Sequence, residues 1–235
     1  ADNWARLATH FETLFTTEQS IDKLKQIVLE LAVTGRLVDQ YPGDEDGAIL
    51  VERIIKNRNT LAQTEGMKTK ANNELSQDDQ YLNLPESWAW IRLGNTAKFI
   101  DYRGKTPNKV ENGKRLITAK NIRKGYIDLN PEEFINESDY NNWMKRGFPR
   151  RGDLLFTPEA PLGNVASVHL DEEFALAQRV ICFQWHVPSI GQFMVLQLLA
   201  SHFQAQLVEN ATGMTATGIK ASKLKEIPVA IPPLE

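Results

Sequence analysis

The chain holds a single cysteine among its 235 residues, so no internal disulfide can form. Cys182 stands in the apolar run Val180–Trp185 without the partners a zinc site requires, and reads as a core residue. Long apolar runs are also missing. The stretch Phe193–Ala200 is interrupted by Gln197 and falls well short of the roughly 20 residues that a membrane span needs. No basic segment followed by an apolar stretch and a cleavage site precedes the first helical pattern, which predicts a cytoplasmic protein.

Catalytic signatures are equally scarce. The one Pro-Pro pair, Pro232-Pro233, follows Ile231 and offers no amide or carboxylate to hold a flipped base. Gly104-Lys105-Thr106 resembles the end of a phosphate loop, but Phe99 occupies the place of its first glycine. The acidic groups Asp44–Asp46 and Asp171–Glu173 lack the arrangement of a metal-dependent nuclease. The four histidines, at positions 10, 169, 186 and 202, have no ligand spacing, and no serine or cysteine sits in a nucleophile elbow. A non-catalytic protein is expected, with no metal and no cofactor of its own.

What is present is a globular composition, 42% hydrophobic, with a net charge of −3 that hides an asymmetry. Residues 1–85 carry 9 Lys/Arg against 14 Asp/Glu, whereas 92–151 carry 14 basic residues against 7 acidic ones. Such an excess fits either a solvated surface or a nucleic-acid footprint.

Two kinds of texture divide the chain. In residues 1–83, Leu7, Phe11 and Leu14 are followed by Ile21, Leu24, Val28 and Leu31 at helical spacing, a heptad-like seam suited to a partner helix. Thr16 and Gln19 suggest a capping box, so this helix is predicted to run from near Thr17 to Gly35. After the turn Tyr41–Gly47, whose aspartates can cap, Leu50, Ile54 and Leu61 mark a further helix that fades into the polar stretch Lys68–Gln80. From residue 84 the pattern changes to short strand-like runs: Trp90–Leu93, Ala97–Ile100, Arg115–Thr118, Asp153–Phe156, Val165–Leu170 and Val180–Trp185. One helix, Ile190–Asn210, interrupts them. The fold class read from this order is α+β: a coiled-coil-like helical, docking and linker region over 1–83, then a mixed α/β domain of short strands over 84–235.

Landmarks in this second region occur in a recognisable order. They are Leu84-Pro85-Glu86-Ser87-Trp88, Arg103-Gly104-Lys105-Thr106-Pro107, Ile117-Thr118-Ala119-Lys120-Asn121-Ile122, Gly152-Asp153-Leu154-Leu155-Phe156, Pro161-Leu162-Gly163-Asn164, Ala177-Gln178-Arg179 and the closing Thr212-Gly213 to Leu234. With Ile21–Gln26 and Leu31–Val38 upstream, the chain resembles the specificity subunits of type I restriction-modification enzymes over nearly its whole length. Such subunits carry two target-recognition domains joined by long helices. The resemblance therefore implies one recognition domain of a shortened subunit, or else a half-subunit that dimerises to read a palindromic bipartite site.

The resemblance implies binding to double-stranded DNA, with methyltransferase and restriction subunits as partners and S-adenosylmethionine held by the methyltransferase. A protein-interaction adaptor that touches no DNA is the competing reading. Within that frame Lys105, Lys109, Lys114, Arg115 and Arg123 are candidates for phosphate contacts. Tyr102, Arg103, Asn121, Gln178 and Arg179 are candidates for reading base edges. Ile21, Leu24, Val28 and Leu31 are the partner-helix candidates.

Overall fold

A computed structural model describes residues 9–11, 16–66, 75–102, 107–212 and 217–234. Helix α1 spans Glu18–Val33. Its capping box is formed by Thr17 and Ser20, whose hydroxyls exchange bonds with each other's backbone N–H, one residue later than Thr16 and Gln19. The helix ends at Thr34, and Gly35 follows at φ +69°, the left-handed conformation that glycine adopts without strain. Pro85 and Trp88 crowd the same glycine: an added Cβ would lie 2.7 Å from Pro85 Cγ.

Helix α2, Gly47–Thr64, starts where Asp46 accepts from Ala48 N. It buries Leu50 and Ile54 against Ile91, Leu93, Val229 and Ile231, so α2 shares its core with the strands that follow. Those strands are β1 (Ala89–Arg92), β2 (Ala97–Asp101), β3 (Lys109–Val110), β4 (Lys114–Ile117), β5 (Phe134–Ile135), β6 (Leu154–Phe156), β7 (Val165–Ser167), β8 (Phe174–Leu176), β9 (Ile181–Trp185) and β10 (Pro228–Ile231). Strands β1 and β10 pair antiparallel and join the two ends of the domain. A second sheet runs β2-β9-β6-β7, and a third runs β3-β5-β4-β8 with β4 and β8 parallel. The turn α3 (Leu93–Thr96) and the helix α4 (Glu137–Trp143) connect them. The architecture is α+β.

A second core lies between the two four-stranded sheets, where Leu116, Ile117, Leu155, Ala166, Leu176 and Cys182 meet. Cys182 is fully buried, and burial pushes its thiol well above the ordinary range. Buried Asp153 serves as an interior acceptor for Arg150 N and Gln184 Nε2, each at 2.8 Å; desolvation nevertheless raises its carboxyl.

The predicted helix Ile190–Asn210 is broken in two: α5 (Gly191–Leu199) and α6 (Ser201–Glu209), with Ala200 extended at ψ 147°. The cause lies on α1. Glu30 Oε1 accepts from both the backbone N and Oγ of Ser201 at 2.6 Å, and its Oε2 meets His202 Nδ1 at the same distance. A carboxylate from a remote helix thus caps α6 and meets its unpaired N–H groups. Burial pulls the Glu30 carboxyl up, but the bonds from Ser201 and His202 more than offset it and hold the group below its ordinary value. A short helix α7 (Ala221–Leu224) precedes β10.

His186 gives the fold a pH signature. Asn57 of α2 donates to its carbonyl at 2.9 Å. Burial, with the Arg58 cation adding to it, pushes the imidazole from 6.5 down to about 4. Between those values the unfolded chain takes a proton that the folded chain refuses, so stability falls as pH drops through this window. Allowing for residual solvent contact, the loss is about 2 kcal/mol. Urea midpoints recorded from pH 7 to pH 4 should show this slope in the wild type and a flatter one in His186→Gln.

Candidate nucleic-acid interface

Strand register gathers one set of loops. Asp101 and Phe156 both align with Ile181, Val165 aligns with Phe156, and Ala177 N bonds Ile117 O. The segments after β2, β4, β6 and β8 therefore emerge together. The chain from Asn121 to Asp128 is a small hairpin there, closed by Arg123 N to Tyr126 O at 2.9 Å and Asp128 N to Asn121 O at 2.8 Å.

Asn121 builds this hairpin from inside. It is 1% exposed. Its Oδ1 accepts from Thr118 N and Oγ1, and its Nδ2 donates to Asp128 O and Pro131 O. Both ends of the amide are committed, which corrects its assignment as a base reader: a buried amide with four partners has no edge left for a base. The hairpin is fastened to β7 by Gly125 N to Val165 O and by Asn164 Nδ2 to Ile122 O, both 2.8 Å. Gly125 sits at φ +93°, a conformation that penalises a side chain. What remains exposed is the tip, Arg123-Lys124-Gly125-Tyr126, with Tyr126 at 59%. Arg123 lies 3.4 Å from Asp128; Lys124 has no ion pair among the described residues.

Arg179, in the turn between β8 and β9, adopts φ +69°. Its Nε lies 2.9 Å from Glu159 Oε1 in the β6–β7 loop. Gln178 beside it is half-buried and has contacts of its own. Arg103 and Lys105 lie outside the described residues.

Two further assignments are corrected. Tyr102 is buried: its hydroxyl donates to Gly147 O at 2.7 Å and accepts from Arg146 N, and its ring stacks on Trp143. Desolvation pushes the phenol up. It braces α4 and faces no solvent-borne partner. Lys109, Lys114 and Arg115 run along the third sheet among Glu132, Glu133, Glu137, Glu172 and Glu173, with ion pairs of 2.7 Å (Lys109–Glu133), 2.8 Å (Lys114–Glu173) and 2.6 Å (Arg115–Glu172). Five carboxylates surround three cations. A phosphate there would have to displace a carboxylate and then face the rest, so this flank is a poor phosphate site.

On α1, Ile21, Val28 and Leu31 are exposed and Leu24 is half-buried, with Ile27 exposed beside them. The seam turns away from the side that docks, which carries Leu29, Glu30 and Val33. Among the described residues no group of three or more His, Cys, Asp or Glu could hold a metal, and no helix is long and apolar enough to cross a membrane.

The α+β domain thus collects clamped, cation-bearing loops on one side, with the amphipathic helix α1 packed beside it. No family model matches the chain. It is similar to the type I restriction enzyme EcoAI specificity subunit of Escherichia coli, 31% identical over 247 residues, covering all of this chain and 40% of the relative. It is also 30% identical over 249 residues to the EcoEI specificity subunit of the same organism, covering 99% of this chain and 41% of that one. Among solved structures, the HsdS subunit from Thermoanaerobacter tengcongensis matches 79% of this chain and 44% of its own at 18% identity, with a TM-score of 0.45. Both curated relatives are type I restriction enzyme specificity subunits, and the likeness runs along essentially the whole of this chain. It spans about two fifths of the length of the curated relatives it matches.

Lys124, Tyr126 and Glu159 escaped the sequence reading. The signal for the first two was the pattern Asn121-Ile122 then Gly125 then Ile127, in which a glycine between apolar residues marks a tight hairpin. Glu159 carried none, because its partner is twenty residues away across a sheet.

Proposed function

We propose that the chain recognises double-stranded DNA, reads one half of a bipartite target, and directs methyltransferase and restriction subunits to it. On this reading S-adenosylmethionine is bound by the methyltransferase, and the chain itself supplies recognition without chemistry. The observation that carries the proposal is the hairpin 121–128. A buried amide, one bond to β7 and one from Asn164 beside it hold the hairpin that carries an exposed Arg-Lys-Gly-Tyr tip. Such a tip suits contact with a sugar-phosphate backbone, where Lys and Arg fix register without reading sequence. The exposed seam of α1 is the docking face for a partner subunit's helix.

Binding should be measured on specific and scrambled duplexes at several salt concentrations, in the assembled complex. Lys124→Ala should weaken binding to both and flatten the salt dependence by about one unit of slope, the signature of one lost phosphate contact. Lys114→Ala, which breaks an ion pair on the acidic flank, should leave the slope unchanged. A slope altered by Lys114→Ala and untouched by Lys124→Ala would place the DNA on the wrong side of the domain.

A further inference from the structure

Glu159 and Arg179 form a pair whose geometry is more specific than a tie between two loops. Resting on the DNA-recognition reading above, we propose that Arg179 reads a guanine in the major groove and that Glu159 is the positioning residue that aims it.

The backbone comes first. Ala177 and Val180 are buried on either side of the turn, and Ala177 N is bonded to Ile117 O at 2.9 Å. Between these anchors Arg179 is held in the left-handed region at φ +69°, which a residue with a Cβ adopts only where its surroundings impose it. Burial of the side chain does not account for this, since it is 53% exposed. The turn lifts an arginine off the end of β8 and into solvent.

The side chain is then restrained at one edge. Glu159 Oε1 lies 2.9 Å from Nε, while no hydrogen bond among the described residues engages the two terminal nitrogens. Glu159 is itself fixed. Ile219 N bonds Pro158 O at 2.9 Å, and Gly218 packs so closely that a Cβ there would come within 3.0 Å of Glu159 Cβ. The carboxylate therefore sits on a doubly tied loop and restricts a side chain that would otherwise sample many rotamers, lowering the entropy lost on binding. The free edge of the guanidinium presents parallel N–H donors. Guanine is the base whose major-groove edge offers two adjacent acceptors, O6 and N7; adenine offers one acceptor and one donor, and the pyrimidines offer one polar group each. The same β6–β7 loop also holds the base of the hairpin through Asn164 Nδ2 to Ile122 O, so the loop that carries Glu159 also supports the hairpin whose tip grips the backbone.

A mere loop tie needs only a cation at position 179, and lysine would serve. Bidentate reading needs the planar fork. The test is selection from randomised duplexes by the chain assembled with methyltransferase subunits, comparing wild type with Arg179→Lys, Arg179→Ala, Glu159→Gln and Glu159→Asp, with thermal melts for each. Wild type should select guanine at one position. Arg179→Lys should melt with the wild type yet lose that preference by roughly tenfold to a hundredfold. Glu159→Gln should relax the same position and no other, with Glu159→Asp restoring part of it. 7-Deazaguanine at that position should weaken wild-type binding and leave Arg179→Ala unaffected. Unchanged selection by Arg179→Lys, or indifference of the wild type to 7-deazaguanine, would overturn the guanine assignment and leave the recognition reading standing. A wild-type complex that selects no sequence at all would overturn both.

Discussion

Replacing Asn121 with alanine should cost about 3 kcal/mol of stability, because each buried polar group left without a partner is worth about 1–3 kcal/mol. The substitution strands Thr118 N and Oγ1 together with the carbonyls of Asp128 and Pro131. Water reaching the base of the hairpin keeps the total below the simple sum. Asn121→Asp should be no milder, since a carboxylate keeps the acceptor side but places negative charge against two carbonyls. The measurement is urea unfolding, with a lower midpoint at constant m. The functional consequence separates a strut from a reader. Loss of the hairpin should weaken binding to every sequence together, whereas loss of a base contact should relax one position. A stable Asn121→Ala protein whose preference changed at a single base pair would refute the structural role.

The elements that the sequence disclosed are those whose signal is local. Thr17 and Gly35 bracket α1 and Asp46 caps α2, and six strand-like runs correspond to β1, β2, β4, β6, β7 and β9 within a residue or three. Strands β3 and β5 have two residues each, too few for an alternating pattern to declare itself. The break at Ala200 was invisible because its cause, Glu30, lies 171 residues from Ser201. Charge failed for the same reason. The excess of cations between Arg92 and Arg151 is real as a count. Yet Lys98 meets Glu65, Arg115 meets Glu172 and Lys114 meets Glu173, so carboxylates from outside the stretch fold back and neutralise much of it. Asn121 was legible as a landmark but its role was inverted: an amide in a loop looks like a reader until its four partners are known.

The largest effect on assembly should come from the α1 seam. Leu24→Asp with Val28→Asp puts two carboxylates on a face that the described structure leaves partly open to water, with Val28 at 38% exposure and Leu24 half-buried. The chain should lose little stability by itself. Its docking side is roughly opposite, where Val33 is buried and Glu30 caps α6, and neither group is touched. In a complex whose partner helix covers the seam, the double variant forfeits burial of the surface these side chains still expose, about 0.5–1 kcal/mol each, and adds the larger cost of desolvating two carboxylates. A loss of about 4 kcal/mol is roughly a thousandfold in affinity. Co-purification with the methyltransferase subunits should therefore fail for the double variant, while its circular dichroism and melting match the wild type. Normal assembly by the folded variant would show that the seam is not the docking face. Unfolding of the isolated variant would show that the seam belongs to this chain's own core, and either result would remove the helix from the account of how partner subunits are held.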